Sequence, residues 1–98
     1  MSTIHSLKCL PEYFDATADG RKNFEVRIND RYFKVGDILK LERWSQTKGY
    51  GAGYVGTGED RQKIESLRRR ITYILTGDQF GIEPGYVVLG LTNEGESE

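Results

Sequence analysis

Every second residue is apolar in one short stretch of the chain, at Phe24, Val26 and Ile28. The charged residues Glu25 and Arg27 stand between them, and this period of two is typical of a strand with one apolar and one polar face. We therefore expect Phe24 and Val26 to lie in the core, where alanine would destabilise the protein, by about 3 to 5 kcal/mol for the phenylalanine. Glu25 and Arg27 are expected to share the opposite face of the strand.

The remaining hydrophobic pattern predicts further strands and one short helix. Pro11 suits the first turn of a helix, where its missing N–H costs nothing, and Gly20 ends that helix. The stretch 61–69 is ambiguous, because its apolar spacing suits either a helical turn or an extended segment that leads into the next strand. The predicted elements are a helix over 11–19 and strands over 3–9, 24–28, 38–44, about 69–75 and 85–91.

These elements predict an α+β fold, with a small curved sheet or partly open β-barrel of about five strands and one or two short helices. A length of 98 residues allows one domain and no second core. Residues 1–92 are therefore assigned to a single domain, and the acidic tail 93–98 is expected to be disordered. Five glycines within 45–60 predict a long mobile loop, and they form neither a phosphate-binding nor a dinucleotide-binding motif.

Composition narrows the class of protein. Apolar residues make up 37% of the chain, enough to form a core. The longest apolar run is far short of the roughly 20 residues of a membrane helix, and a signal-peptide pattern is missing, so we expect a soluble, cytoplasmic protein without a membrane partner. The single Cys9 and single His5 make neither a disulfide nor a recognisable zinc cluster, so no metal or cofactor is expected. Cys9 is interpreted as a small core residue rather than a nucleophile, although His5 shares its strand face.

Charge is unevenly distributed along the sequence. Thirteen basic and seven acidic residues lie between positions 20 and 76, although the net charge of the chain is −1. A local excess of positive charge is what a surface that contacts phosphates needs. The alternative is a solvated surface on which the charges balance in three dimensions.

The stretch Gly20-Arg21-Lys22-Asn23-Phe24-Glu25-Val26-Arg27 resembles the GxKxxExR signature of ASCH domains, which belong to the PUA-like superfamily of small β-barrels associated with RNA. Further segments resemble an uncharacterised ASCH-like family found mostly in bacteria and their phages. They are His5-Ser6-Leu7-Lys8, Tyr13-Phe14 and the stretches 29–39, 71–75 and 85–91. The resemblance covers nearly the full chain except the 45–68 loop and the tail, and it implies a PUA-like barrel with a cleft beside the helix.

The resemblance places the motif residues Lys22, Glu25 and Arg27 in that cleft. A lysine and an arginine can neutralise phosphate or hold a carbonyl, and a carboxylate can accept a hydrogen bond from the exocyclic amine of a base. The alternative is an internal ion pair, between Glu25 and either cation, that closes one end of the barrel. His5 and Lys8 also match the family pattern, and His5 either lines the cleft or hydrogen-bonds a backbone carbonyl.

Aromatic and basic residues outside the motif extend the candidates for nucleic-acid binding. Tyr50 and Tyr54 in the glycine-rich loop can stack on unpaired bases, and Trp44 suits either that role or the core. The run Arg68-Arg69-Arg70 can follow a phosphate backbone, or it can protect a sheet edge from aggregation.

An RNA-binding module is the function that these features favour, with RNA or a nucleotide-like small ligand as the partner and a monomer assumed. The alternative is a small amidohydrolase, because some ASCH proteins act on N4-acetylcytidine through the motif Lys, a Thr three residues after it and a distant Glu. Lys22 matches that pattern, but the Thr position is Glu25, which removes the hydroxyl nucleophile and leaves at best a general base for water. An enzyme is therefore the less favoured class. A module that binds a host protein would leave no sequence signature.

Overall fold

The computed structural model describes residues 2–45, 53–54 and 66–93 of the chain. These residues form one helix and six strands, and the strands join in one sheet. The predicted helix and all five predicted strands are present. In chain order the elements are β1 (Ile4–Cys9), α1 (Pro11–Ala18), β2 (Phe24–Ile28), β3 (Ile38–Ser45), β4 (Gly53–Tyr54), β5 (Ser66–Thr76) and β6 (Tyr86–Asn93).

Most boundaries agree with the sequence prediction to within one residue, and three features differ by more. β5 begins at Ser66, inside the ambiguous stretch, and residues 61–65 lie outside the described residues. β6 continues to Asn93, because that residue pairs with Arg69 of β5, so the strand includes the first residue of the predicted tail. β4 lies within the predicted loop and pairs with the end of β3. The rest of that loop and of the tail is outside the described residues.

The sheet has the strand order β1-β3-β5-β6-β2, and β4 is attached to β3. β1 pairs with β3 in parallel, and the other pairings among the described strands are antiparallel. The sheet curls into a half-barrel whose two edges are β1 and β2. The expected α+β class and small barrel-like sheet are confirmed at this level of detail.

The core lies on the inner face of the half-barrel. Side chains at alternate strand positions point to this face, and the largest of them that are fully buried are Leu39, Leu41, Ile71, Val87 and Leu89. α1 covers one end of the inner face through its two buried residues, Phe14 and Thr17. No helix in the described part of the chain is long and apolar enough to cross a membrane.

The faces of β2 are the reverse of the sequence prediction. Phe24, Val26 and Ile28 are 43%, 51% and 55% exposed, whereas Glu25 is only 4% exposed. The register explains the reversal, because Glu25 stands opposite Leu89 and directly opposed residues of an antiparallel pair point to the same face. β2 is an edge strand, and on its inner face the cationic side chains of Lys22 and Arg27 pair with Glu25. The expectation that Phe24 and Val26 are core residues is wrong.

β5, which carries the run of three arginines, is an interior strand between β3 and β6. The interpretation that Arg68-Arg69-Arg70 protects a sheet edge is therefore wrong. Side chains alternate along the strand, so Arg69 points to the inner face, where its Nη2 donates to the Thr17 carbonyl at 3.1 Å. Arg68 and Arg70 point to the outer face, and Nη1 of Arg70 donates to the Gly36 carbonyl at 3.2 Å.

Candidate functional site

The two edges of the sheet, β1 and β2, face each other across the opening of the half-barrel. In a closed barrel, backbone hydrogen bonds would join these two strands. Here the side chains of two arginines connect them instead. Arg27 Nη2 donates to the carbonyl of Lys8 at 2.9 Å, and Arg31 Nη1 donates to the carbonyl of Ser6 at 2.9 Å. Side chains therefore bridge the opening, and cavities remain on both sides of Arg27.

β2 turns alternate backbone groups toward this opening. Just beyond the end of β2, the N–H of Asn29 donates to the carbonyl of Gly85, next to β6. Because backbone groups alternate in direction along a strand, the odd-numbered residues of β2 bond to β6. The even-numbered residues of β2 therefore direct their N–H and C=O groups into the opening. Lys22 takes up one of these groups, because its Nζ donates to the carbonyl of Phe24 at 2.6 Å.

Lys22, Glu25 and Arg27 form one ion-paired cluster at the opening, termed the charged cluster below. Lys22 Nζ donates to Oε1 of Glu25, and Arg27 Nε donates to Oε2 of the same carboxylate at 2.9 Å. Glu25 is buried, whereas both cations are partly exposed. A buried carboxylate needs charge pairing and hydrogen bonds to offset its loss of hydration, and here both oxygens have them. With two cations and one carboxylate, the cluster leaves an excess of one positive charge.

A cleft of about 710 Å³ opens beside the charged cluster, next to α1 and β2. Tyr13 of α1 and Phe24 of β2 line it and are 46% and 43% exposed. The Nζ of Lys22 lies 5.8 Å from the centroid of the Tyr13 ring and 5.0 Å from that of the Phe24 ring, within the range of cation–π contacts. The cleft therefore combines two aromatic surfaces with the positive charge of Lys22. The motif residues contact one another and also line an open cleft, so both alternatives from the sequence hold in part.

Tyr13 and Phe24 are cleft residues that sequence reasoning missed as candidates. A signal for Tyr13 was available, because the apolar spacing of the helix turns Phe14 inward and leaves its neighbour outside. Phe24 had no such signal, since alternation alone predicted it to be buried. A smaller cavity, of about 290 Å³, lies on the other side of Arg27, with Arg31 and Phe33 in its wall.

His5 lies on the inner face and is not one of the residues that line the larger cleft. Its Nε2 is 2.9 Å from Oδ2 of Asp37, and its ring meets Phe33 edge-on with centroids 4.8 Å apart. Asp37 also accepts hydrogen bonds from the N–H groups of Thr3 and Lys34. Burial opposes the ionisation of Asp37, but the bonds from His5 and the two amides outweigh it and hold the pKa of Asp37 below its usual range. The partner of His5 is thus a carboxylate, which differs from both alternatives that the sequence left open, a cleft-lining position and a bond to a backbone carbonyl.

Cys9 is buried at the inner end of the cleft. Burial, followed by the nearby charge of Glu25, raises the pKa of the Cys9 thiol to about 11. A thiol with that pKa is protonated at neutral pH, whereas the thiolate is the nucleophilic form. These surroundings suit the predicted role of Cys9 as a small core residue.

Among the remaining aromatic candidates, Trp44 is not one of the residues that line the cleft, and the side chains of the two tyrosines are outside the described atoms. The Nζ of Lys8 is 5.0 Å from the ring centroid of Trp44, which is half-buried, while the carbonyl of Lys8 takes part in the Arg27 bridge. Tyr54 pairs with Trp44 through its backbone, and its side chain is outside the described atoms, as is all of Tyr50. Stacking by these two tyrosines stays a prediction.

The three arginines of β5 separate into two locations. Arg69 lines a hollow of about 200 Å³ at the C-terminal end of α1, and Lys22 lines the same hollow from the other side. Arg68 and Arg70 lie on the outer face of the sheet. The structure therefore brings one arginine of the run near the charged cluster and directs the other two elsewhere.

Across the part of the chain that the structure describes, no three His, Cys, Asp or Glu side chains are grouped so that they could hold a metal ion.

The comparisons with known proteins identify a family without an assigned reaction. The family model described as Domain of unknown function (DUF3850) matches residues 4–91, a range that includes α1, both edge strands and the charged cluster. No curated protein matches the chain. The chain belongs to the DUF3850 family, a family of unknown function.

Proposed function

We propose that the protein binds single-stranded nucleic acid, with RNA preferred, and that an unpaired base enters the cleft beside Tyr13 and Phe24. The observation that carries the proposal is the position of Lys22 between two exposed aromatic rings in an open cleft. Stacking of a base on an aromatic side chain contributes about 1 to 3 kcal/mol and tolerates every base, because each base has a π face. The ammonium of Lys22 supplies positive charge for a neighbouring phosphate.

The charged cluster gives this cleft polar groups for recognition. A guanidinium has five N–H donors, and in the described part of the chain the bonds of Arg27 use its Nε and Nη2. Its Nη1 can therefore donate to a phosphate or to a carbonyl of the base. Glu25 holds both cations in place at the cleft wall, so the ligand meets them in a fixed geometry.

The preference for RNA over DNA rests on the resemblance to ASCH domains and their PUA-like superfamily. The motif residues that carry this resemblance, Lys22, Glu25 and Arg27, are the residues of the charged cluster. The 2′-hydroxyl of RNA is both a donor and an acceptor, and it is the group by which a protein distinguishes RNA from DNA at a given site. Lys22 and the N–H of Asp30 already bond to the carbonyls of Phe24 and Ile28, so the N–H and carbonyl of Val26 are the groups of β2 that offer partners for such a hydroxyl.

The geometry does not favour the alternative of an amidohydrolase. A general base needs an oxygen within hydrogen-bond reach of the attacking water. Both carboxylate oxygens of Glu25 already accept bonds from Lys22 and Arg27. Cys9, with its raised pKa, supplies no thiolate near neutral pH. We therefore expect no release of acetate when the protein is incubated with N4-acetylcytidine.

The proposal is tested by fluorescence anisotropy with a labelled single-stranded RNA of about 12 nucleotides at low salt. Tyr13→Ala should raise the Kd by about tenfold, because it removes one stacking surface and leaves the helix intact. Tyr32→Ala is the matched control, since Tyr32 is 83% exposed and lies in the turn between β2 and β3. This control should bind like the wild type.

Two results would contradict the proposal. One is the lack of binding of the wild-type protein to every oligonucleotide at low salt. The other is equal Kd values for Tyr13→Ala, Tyr32→Ala and the wild type at unchanged melting temperature, which would show that the cleft holds no base. A DNA oligonucleotide of the same sequence, measured in parallel, tests the preference for RNA.

A further inference from the structure

The outer face of β5, β6 and β2 presents uncharged residues in two cross-strand rows, and we term it the outer apolar face. Its members, in register, are the row Tyr73, Gly90 and Phe24 and the row Leu75, Val88 and Val26. Phe24 and Val26 are about half exposed, and Tyr73 is 65% exposed. The helix of the described chain lies on the opposite side of the sheet and does not cover this face.

A bulge in β5 sets the direction of Tyr73. Ile71 faces the core, so strict alternation would point Tyr73 inward as well. The register shifts between these two residues, and the extra residue, Thr72, brings Tyr73 opposite Gly90 on the outer face. Bulges are common next to functional sites, where they change the direction of a side chain. The bulge is what makes Tyr73 part of the same row as Phe24.

Gly90 keeps the surface between the two rings clear. Tyr73 and Phe24 are two strands apart, which corresponds to about 10 Å. A Cβ atom on Gly90 would lie 3.3 Å from Oγ1 of Thr72 and 3.5 Å from Cβ of Tyr73, so a side chain there would fill the space beside the Tyr73 ring. The two rings therefore stand at the ends of a shallow strip of backbone.

Basic residues lie on the same strand as Tyr73 and next to the ring of Phe24. Arg68 and Arg70 precede Tyr73 along β5 and point to the same outer face. The Nζ of Lys22 lies 5.0 Å from the centroid of the Phe24 ring. Phe24 also lines the cleft, so the outer apolar face is continuous with the cleft of the proposed function.

We propose that a single-stranded nucleic acid whose base occupies the cleft continues over the outer apolar face, with a base stacked on Tyr73 and phosphates near Arg70 and Arg68. This inference rests on the proposed function and extends the bound strand from one base to several nucleotides. Charge complementarity favours nucleic acid over a protein as the occupant, because uncharged aromatic rings with arginines further along the strand of one ring and a lysine beside the other match stacked bases joined by phosphates. RNA-recognition modules that stack two or three bases on aromatic residues of a sheet face use the same chemistry.

The first test compares Tyr73→Ala with Tyr73→Phe, using single-stranded RNAs of about four and about 12 nucleotides. The wild type should bind the longer RNA more tightly than the shorter one. Tyr73→Ala should raise the Kd of the longer RNA by about tenfold and leave that of the shorter one unchanged, whereas Tyr73→Phe keeps the ring and should bind like the wild type. Tyr32→Ala serves again as the control for an exposed tyrosine elsewhere.

The second test uses the slope of log affinity against log salt. Replacement of both Arg68 and Arg70 by Gln should lower this slope by about one to one and a half units, since each phosphate contact on a single strand contributes about 0.7. Arg69→Gln is the matched control from the same run: its guanidinium bonds to the carbonyl of Thr17 on the inner side, so the variant should keep the slope.

The outcomes separate this inference from the proposed function. Loss of binding in Tyr13→Ala together with unchanged binding in Tyr73→Ala and an unchanged slope in the double arginine variant would overturn the extended track and leave the cleft proposal standing. A wild-type protein that binds no RNA of either length would overturn both. A dimer that Tyr73→Ala converts to a monomer, with unchanged RNA affinity, would assign the outer apolar face to self-association and would also overturn the inference.

Discussion

Asp37 is a buried acid just before β3 that hydrogen-bonds to residues at the start of β1, the strand that pairs with β3 in parallel. Its carboxylate takes hydrogen bonds from His5 at the start of β1 and from the N–H groups of Thr3 and Lys34. Three donors for one carboxylate offset the cost of burial and hold the pKa of Asp37 below its usual range. The residue therefore contributes to stability through its charged form.

The stability of the protein should fall in acid through Asp37. Because the pKa of Asp37 is lower in the folded state, its contribution is fully present above the unfolded value of about 3.9 and is lost as the pH falls through the folded pKa. Asp37→Asn should cost about 1 to 3 kcal/mol at neutral pH and should show a shallower loss of stability below about pH 4. Urea unfolding of both proteins at several pH values measures this difference. The same pH dependence in both proteins would contradict the assignment.

The edge strand β2 joins the core and the functional site. Its inner side chains, Glu25 and Arg27, complete the charged cluster, and its outer side chains belong to the outer apolar face. Its backbone bonds to β6 on one side and turns toward the opening on the other. This strand thus supplies the cation of Arg27 to the cleft and the ring of Phe24 to both surfaces. This arrangement requires the strand to bury a carboxylate, and the bonds from Lys22 and Arg27 make that possible.

Two valines that stand on opposite faces of the paired strands test the reversed orientation of β2. Val87 of β6 is 1% exposed and Val26 of β2 is 51% exposed. Val87→Ala should lower the free energy of unfolding by about 2 kcal/mol, because it removes two buried carbon atoms and leaves a cavity. Val26→Ala should change it by no more than about 0.5 kcal/mol, as surface substitutions usually do. Equal losses in urea unfolding would show that Val26 is a core residue after all.

Charge is paired over much of the fold, although the middle of the sequence is basic. Arg43 bonds to Asp15, Arg21 bonds to Asp19, and Glu25 holds the two cations of the charged cluster. The alternative that charges balance in three dimensions therefore applies to part of the basic stretch. Positive charge remains in excess at the cleft, and local potential rather than net charge governs the encounter with a polyanion.

Binding of single-stranded RNA should depend on salt in proportion to the phosphates that the protein contacts. For about three to five phosphates, the slope of log affinity against log salt should be roughly −2 to −3.5. Lys22→Gln should make the slope shallower by about 0.7, because one contact is lost. Titrations at several salt concentrations provide both slopes. A slope near zero for the wild type would mean that phosphate contacts contribute nothing to binding, which would contradict the proposed role of Lys22.

The amino-acid sequence was enough to locate the elements of this fold and the residues of the charged cluster. Pro11 and Gly20 mark the helix, and alternation marks the strands, because these signals depend on local backbone geometry. The resemblance of residues 20–27 to the ASCH signature implied a common site for Lys22, Glu25 and Arg27, and the period of two agrees with it because it places Glu25 and Arg27 on one strand face. Each of these features depends on neighbours in the chain, which a sequence displays directly.

The faces of the sheet and the composition of the cleft depended on tertiary structure. Alternation divides β2 into two faces but does not say which one is buried, and the register with β6 made the charged face the inner one. Lys22 and Arg27 meet Glu25 at the opening. Their bonds to its carboxylate offset the free-energy cost of burying it on the inner face. Tyr13 reached the site from a helix, and a bulge turned Tyr73 outward. Contacts between residues far apart in sequence decided these features, and local periodicity carries no information about such contacts.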